Sequence, residues 1–116
     1  VLSLLTGFEE VTIETTRPDG RTRRTIIWVV VEGGQLLVRS VRGDRGHWYQ
    51  AALDRPADVR LEVGGQWLPV RAMAATDDDS IARCSRQLAV KYAGDPSLPS
   101  MLRRNVLATT LRLEPR

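Results

Sequence analysis

At 116 residues the chain fits one domain with room for a hydrophobic core, and its 42% hydrophobic content is that of a soluble globular protein. No apolar run approaches the roughly 20 residues of a membrane span, the start lacks a charged-then-apolar secretory signal, and one cysteine, Cys84, with one histidine, His47, excludes an internal disulfide and a zinc cluster. The net charge of +3 is almost all arginine, with Lys91 the only lysine among seventeen basic residues, but these are dispersed among fourteen acids without a basic block, which argues against nucleic acid and leaves small anions as partners. A cytoplasmic protein is expected.

In chain order, the alternation over residues 8–16 puts Val11, Ile13 and Thr15 on one face of a strand. Arg17-Pro18-Asp19-Gly20 supplies a turn, since proline presets the first φ and glycine tolerates the last. Residues 25–32 are β-branched and nearly all apolar, which predicts a central strand covered on both faces. Gly33-Gly34 closes a hairpin onto a strand over 35–41, and a short helix over 45–53 follows, with Pro56 just past its end. Val59, Leu61 and Val63 alternate with Arg60 and Glu62 in a strand over 57–63, and Gly64-Gly65 returns it over 66–75. There Pro69 cannot donate a ladder hydrogen bond and marks an edge or a bulge.

Asp77, Asp78 and Asp79 before Ser80 read as the capped start of a helix rather than a metal site. That helix runs over residues 79–93, with Ile81, Cys84, Leu88 and Tyr92 on one stripe and Gly94 as its stop. Cys84 on the stripe is then a small core residue and not a nucleophile. A proline-punctuated segment with Leu98, Met101 and Leu102 leads to a last strand over 106–113. The sum is a mainly β protein, a six-stranded antiparallel split β-barrel with one long and one or two short helices, because closure removes exposed edges.

The segment that carries chemistry is Ser40-Val41-Arg42-Gly43. A hydroxyl, a guanidinium and a glycine at a strand end, just before a helix N-terminus, form a cradle for phosphate, so the first functional expectation is a phosphorylated cofactor. Each residue also has a plainer reading. Arg24 and Arg42 can be solvated strand ends, Ser40 can serve a local backbone group, and Trp28 and Trp48 can be core aromatics. His47 is either a surface side chain or a proton carrier, histidine being the residue type suited to proton transfer near neutral pH.

The order strand, Gly-Arg turn, strand, hairpin, Ser-x-x-Gly loop, Trp-Tyr helix, strand and Gly-Gly hairpin resembles the split-barrel proteins related to pyridoxamine 5′-phosphate oxidase. Within them it is similar to the small flavin- or deazaflavin-dependent nitroreductase and quinone-reductase branch, as an uncharacterised domain family. Residues 15–24, 25–31, 40–53 and 59–71 carry the resemblance; Lys91-Tyr92-Ala93-Gly94 and residues 109–115 resemble family features as well, without assigned chemistry. The resemblance implies that Arg24 and Thr25, then Ser40, Val41, Arg42 and Gly43, then Trp48 and Tyr49 approach a cofactor's ring and phosphate. It implies FMN or the deazaflavin coenzyme (factor 420) as cofactor, an oxidoreductase passing hydride to a small organic acceptor, and a homodimer with its clefts between subunits. The chain departs from that branch at Gly20-Arg21-Thr22-Arg23, where a Lys-Ser-Gly type turn is usual, and at Ile26-Ile27, where a proline is. Residues 1–7 also leave little room for the helix that often covers substrate there. The alternative is a binding module that keeps the barrel and uses the cleft to store or sense a cofactor, or holds none; nucleic-acid binding ranks last.

Overall fold

A computed structural model describes Gly7 and residues 9–116. The expected strand start at Phe8 and the short segment over residues 1–6 lie outside the described residues. These form seven strands, β1 (Glu10–Thr16), β2 (Thr22–Trp28), β3 (Val30–Glu32), β4 (Gln35–Val38), β5 (Val59–Val63), β6 (Gln66–Ala74) and β7 (Leu111–Pro115). With them go four α-helices, α1 (His47–Asp54), α2 (Asp78–Lys91), α3 (Leu98–Met101) and α4 (Arg104–Leu107), and a 3-10 turn at Gly43–Arg45. The sheet order is β2-β1-β5-β6-β7-β4-β3, and every neighbouring pair is antiparallel.

β2 and β3 stand at opposite ends of that order, yet Val29 alone separates them in sequence. Consecutive Cα atoms are about 3.8 Å apart, so the two ends of the sheet must meet, and the sheet curls into a split half-barrel. The apolar run over residues 25–32 is therefore not one central strand, and the second of the six expected strands becomes two. It breaks at Val29 and supplies both terminal strands. Ile27 and Val29 turn into the curl while Ile26 is 65% exposed, so the run mixes covered and uncovered positions that composition alone does not separate.

The strand covered on both faces is β4. Its Leu36 and Val38 join the interior cluster with Val11, Ile13, Leu61, Val70, Leu111 and Leu113, which Trp48 and Ala52 of α1 plug. Its Leu37 points the other way, into a second cluster with Val30, Cys84, Leu88, Tyr92 and Met101 under α2. This is the period-2 alternation of a strand with cover on each side.

α2 begins as expected: the Asp77 carboxylate accepts from Ser80 N at 3.0 Å, the Ser80 hydroxyl and then this N–H hold its carboxyl below the ordinary value, and Asp78 and Asp79 fill the first turn. The helix ends two residues earlier than expected, at Lys91, with Gly94 at φ +83° beyond it. The last strand also starts later. Residues 104–107 are helical, and the Thr109 and Thr110 hydroxyls donate to the Val106 and Leu107 carbonyls at 2.6 and 2.7 Å, closing that turn before the chain extends. Pro69 sits opposite Arg60 of β5 and the β7 ladder starts at Val70, but Arg116 N just past β7 donates to the Pro69 carbonyl at 3.0 Å, so the proline falls where the β6–β7 ladder ends and not on an edge strand.

Candidate functional site

The chain leaves β4 through Arg39 and Ser40, both buried although polar. Arg39 is 2% exposed, and its guanidinium donates to Thr110 Oγ1 at 2.9 Å, to the Met101 carbonyl at 3.1 Å and to the Ile81 carbonyl at 2.7 Å. It thus ties β4 to α2, α3 and the segment before β7, and burial pushes its pKa below the ordinary guanidinium value. Ser40 N donates to Thr109 Oγ1 at 3.1 Å. Thr109 and Thr110 therefore act as a pair that fixes the backbone of Ser40 and the side chain of Arg39, which assigns a structural task to one segment that the family resemblance left without chemistry.

The Ser40 side chain is different. It is 1% exposed and its Oγ has no hydrogen-bond partner. It lies against Gly46, where an added Cβ would collide with Oγ. Gly46 is the N-cap residue of α1, with no side-chain cap and no acid in the first turn. The first intrahelical bond runs from Gln50 N to Gly46 O at 3.0 Å, so the N–H groups of residues 47–49 leave the helix end without intrahelical acceptors. A buried hydroxyl and an uncapped helix N-terminus thus share one spot. Among the described residues nothing negative caps it.

This spot opens into a cleft of about 480 Å³ lined by β2, the β4–α1 connection, Ser97 and Met101. Four arginines, Arg23, Arg24, Arg39 and Arg42, line it against one carboxylate, Glu10. Of the residues expected at a cofactor, Arg24, Thr25, Ser40, Val41, Arg42 and Trp48 line this cleft. Gly43 and Tyr49 do not; they line a second cleft of about 540 Å³ behind the connection, with Arg42 shared between the two. Burial and the nearby Asp44 raise the Tyr49 pKa.

Two of the arginines have partners that define their roles. Arg23 donates to His47 Nδ1, which places the ring proton on Nε2. Arg24 instead turns to Glu14, its Nε 3.1 Å from Oε2, while Arg60 reaches the same carboxylate at 2.6 and 3.2 Å. Both guanidinium groups lie over the Trp67 ring, 4.8 and 4.2 Å from its centroid. The Arg60 hydrogen bond, aided by Arg24, lowers the Glu14 pKa below 4.5 in spite of burial.

The remaining lining residues include several that were not expected at the site: Arg23, Arg39, Trp28, Gly46, Ser97 and Met101. Arg39 had a signal in its position directly after the apolar Leu36-Leu37-Val38. Ser97 and Met101 had none, since folding alone brings α3 to the mouth of the cleft. The arrangement as a whole offers an anion seat at Ser40 and α1 beside an aromatic and thioether wall at Trp28 and Met101.

A sequence profile of one family, described as "Uncharacterized protein conserved in bacteria (DUF2255)", matches residues 1–113. No curated protein matches the sequence. Among solved structures, the chain is similar to Campylobacter jejuni ChuZ, with a TM-score of 0.80 and 8% identity over 99% of this chain, which spans only 51% of that protein. It is similar to a putative pyridoxamine 5′-phosphate oxidase from Listeria innocua, with a TM-score of 0.70 and 14% identity over 99% of this chain and 90% of that one. An F420-H2 dependent reductase matches with a TM-score of 0.68 and 18% identity over 91% of this chain and 94% of the other. These likenesses establish the pyridoxamine 5′-phosphate oxidase-like split-barrel fold.

Proposed function

The chain belongs to the DUF2255 family, and from that premise we propose that it holds a phosphorylated flavin or deazaflavin in the 480 Å³ cleft and, so loaded, reduces a small organic acceptor in the cytoplasm. The observation that carries this reading is Ser40, whose buried Oγ lacks a partner beside the uncapped N-terminus of α1. An unsatisfied buried hydroxyl costs about 1–3 kcal/mol, which a phosphate oxygen at that position would remove. Ser40 Oγ and the first-turn N–H groups of α1 would donate to the phosphate, with Arg42 and Arg23 offsetting its charge. The similarity in fold to an F420-H2 dependent reductase and to a putative pyridoxamine 5′-phosphate oxidase supports the same cofactor class.

When bound, the flavin or deazaflavin ring supplies the hydride chemistry. The chain's own contribution is to bind and orient. Arg23 holds the His47 ring with its Nε2–H as a hydrogen-bond donor for a ligand in the cleft. A homodimer belongs to this proposal, because β2 is a terminal strand and Ile26 on it is 65% exposed at the open side of the cleft, so that a second copy would close it.

The test is absorbance of the purified protein followed by fluorescence titration with FMN and with the deazaflavin, for wild type and Arg42→Ala. A hydrogen bond to a charged group is worth about 1.5–3 kcal/mol, so the variant should bind roughly ten- to a hundredfold more weakly. Equal affinities remove Arg42 from the site. Binding without turnover of any acceptor leaves a storage or sensing module, and no binding of either compound overturns the reading.

A further inference from the structure

Val29 is the one residue between the two terminal strands. The β1–β2 ladder stops at Trp28 opposite Glu10, and the β3–β4 ladder starts at Val30 opposite Leu37. Val29 is wholly buried, so its backbone groups need partners that no strand provides. The end of α2 provides them. Val29 N donates to the Tyr92 hydroxyl at 3.2 Å, and Lys91 Nζ donates to the Val29 carbonyl at 2.7 Å. The Tyr92 hydroxyl proton faces the Glu9 carbonyl and the Val29 carbonyl, so this one group tethers the residue before β1, the strand break and the end of α2. Burial pushes the Tyr92 pKa up to about 12, which keeps the hydroxyl able to donate and accept at once.

The ring of Tyr92 does something further. It stacks on Trp28 with centroids 3.9 Å apart and planes 5° from parallel. Trp28 packs against the cluster under α2 and also lines the cleft, together with Met101. The indole therefore has a rigid aromatic backing, and the peptide that follows it is pinned by the same tyrosine. A wall fixed in this way needs no ordering when a flat ligand arrives, which is the condition under which stacking contributes most to affinity.

We propose that Tyr92, with Lys91, is a positioning residue that presents Trp28 as the stacking wall for the planar ring of the ligand, in the same cleft that Ser40 lines. This deepens the cofactor reading and rests on it. It also gives Lys91-Tyr92, the other segment whose chemistry the resemblance left open, a task at the site.

Two probes separate the ring from the phosphate: lumichrome, a tricyclic ring without the phosphorylated chain, and FMN. Trp28→Leu removes the wall, Trp28→Phe keeps a smaller one, and Tyr92→Phe keeps the ring but loses the hydroxyl that pins Val29. Trp28→Leu and Tyr92→Phe should each weaken lumichrome and FMN alike, roughly three- to tenfold, and Trp28→Leu should relieve the quenching of bound lumichrome fluorescence. Trp28→Phe should fall between wild type and Trp28→Leu. Arg42→Ala should weaken FMN and leave lumichrome unchanged. A purely structural role for Tyr92 would lower the melting temperature while leaving both affinities and the quenching as in wild type, and that result overturns the proposal. FMN binding that is insensitive to all three Trp28 and Tyr92 variants rejects the wall and leaves the phosphate seat standing. Failure of wild type to bind FMN or the deazaflavin rejects the cofactor reading itself, and this inference with it.

Discussion

Replacing Gly46 by alanine would drive a methyl group into Ser40 Oγ, and Ser40 is too buried to swing aside. Gly46 has an ordinary extended backbone, φ −61° and ψ 128°, so the need for glycine is steric and not conformational. Overpacking of this kind costs about 1–3 kcal/mol. Gly46→Ala should lose that much stability in a urea melt and should also lose FMN affinity. Adding Ser40→Ala to it removes the colliding oxygen, so the double variant should recover stability and not affinity. Recovery of both would take the serine hydroxyl out of the binding site.

At the scale of the sheet, Glu14 is the centre of a ladder that crosses three strands. Register places it opposite Arg24 of β2 and Arg60 of β5, and both guanidinium groups converge on its carboxylate and on Trp67. The carboxylate is nearly buried, so removing its charge leaves two arginines facing each other across β1. Because the folded-state pKa lies below the unfolded value near 4.5, the stabilisation is complete above that pH and is lost as the pH falls through the folded value. Glu14→Gln should therefore melt at a lower temperature than wild type at pH 7, and the two curves should converge in acid below the folded pKa. Equal melting temperatures of wild type and Glu14→Gln at pH 7 would show that the ladder does not hold the sheet.

For the whole molecule the expected assembly is a homodimer that closes the cleft over β2. A stable interface of this kind buries more than roughly 1,000 Å² in total. Sedimentation at micromolar concentration should give twice the chain mass, and Ile26→Glu should return a folded monomer with weaker FMN binding. A wild-type monomer at all these concentrations would count against it. Among the described residues no helix is long and apolar enough to cross a membrane.

Local chemistry was legible in the residues themselves: the Gly-Gly hairpins, the Asp77 cap, the alternation of β1 and β5, and the apolar stripe that buries Cys84. Such features depend on near neighbours in the chain, where spacing and side-chain type decide the outcome. The six residues of the candidate site that share one cleft were also reachable, because four of them, Ser40, Val41, Arg42 and Trp48, lie within nine positions of one another around one turn. Tertiary structure decided the rest. That the apolar run over 25–32 breaks at Val29 and serves both terminal strands follows from closure of the sheet, which brings Tyr92 and Lys91 to it across 63 and 62 positions. That Arg39 is buried follows from the hydroxyl and carbonyls that folding brings to it across 71, 62 and 42 positions, and that Arg60 joins Arg24 on Glu14 follows from β5 pairing with β1 across 46 positions, separations no spacing in the chain encodes.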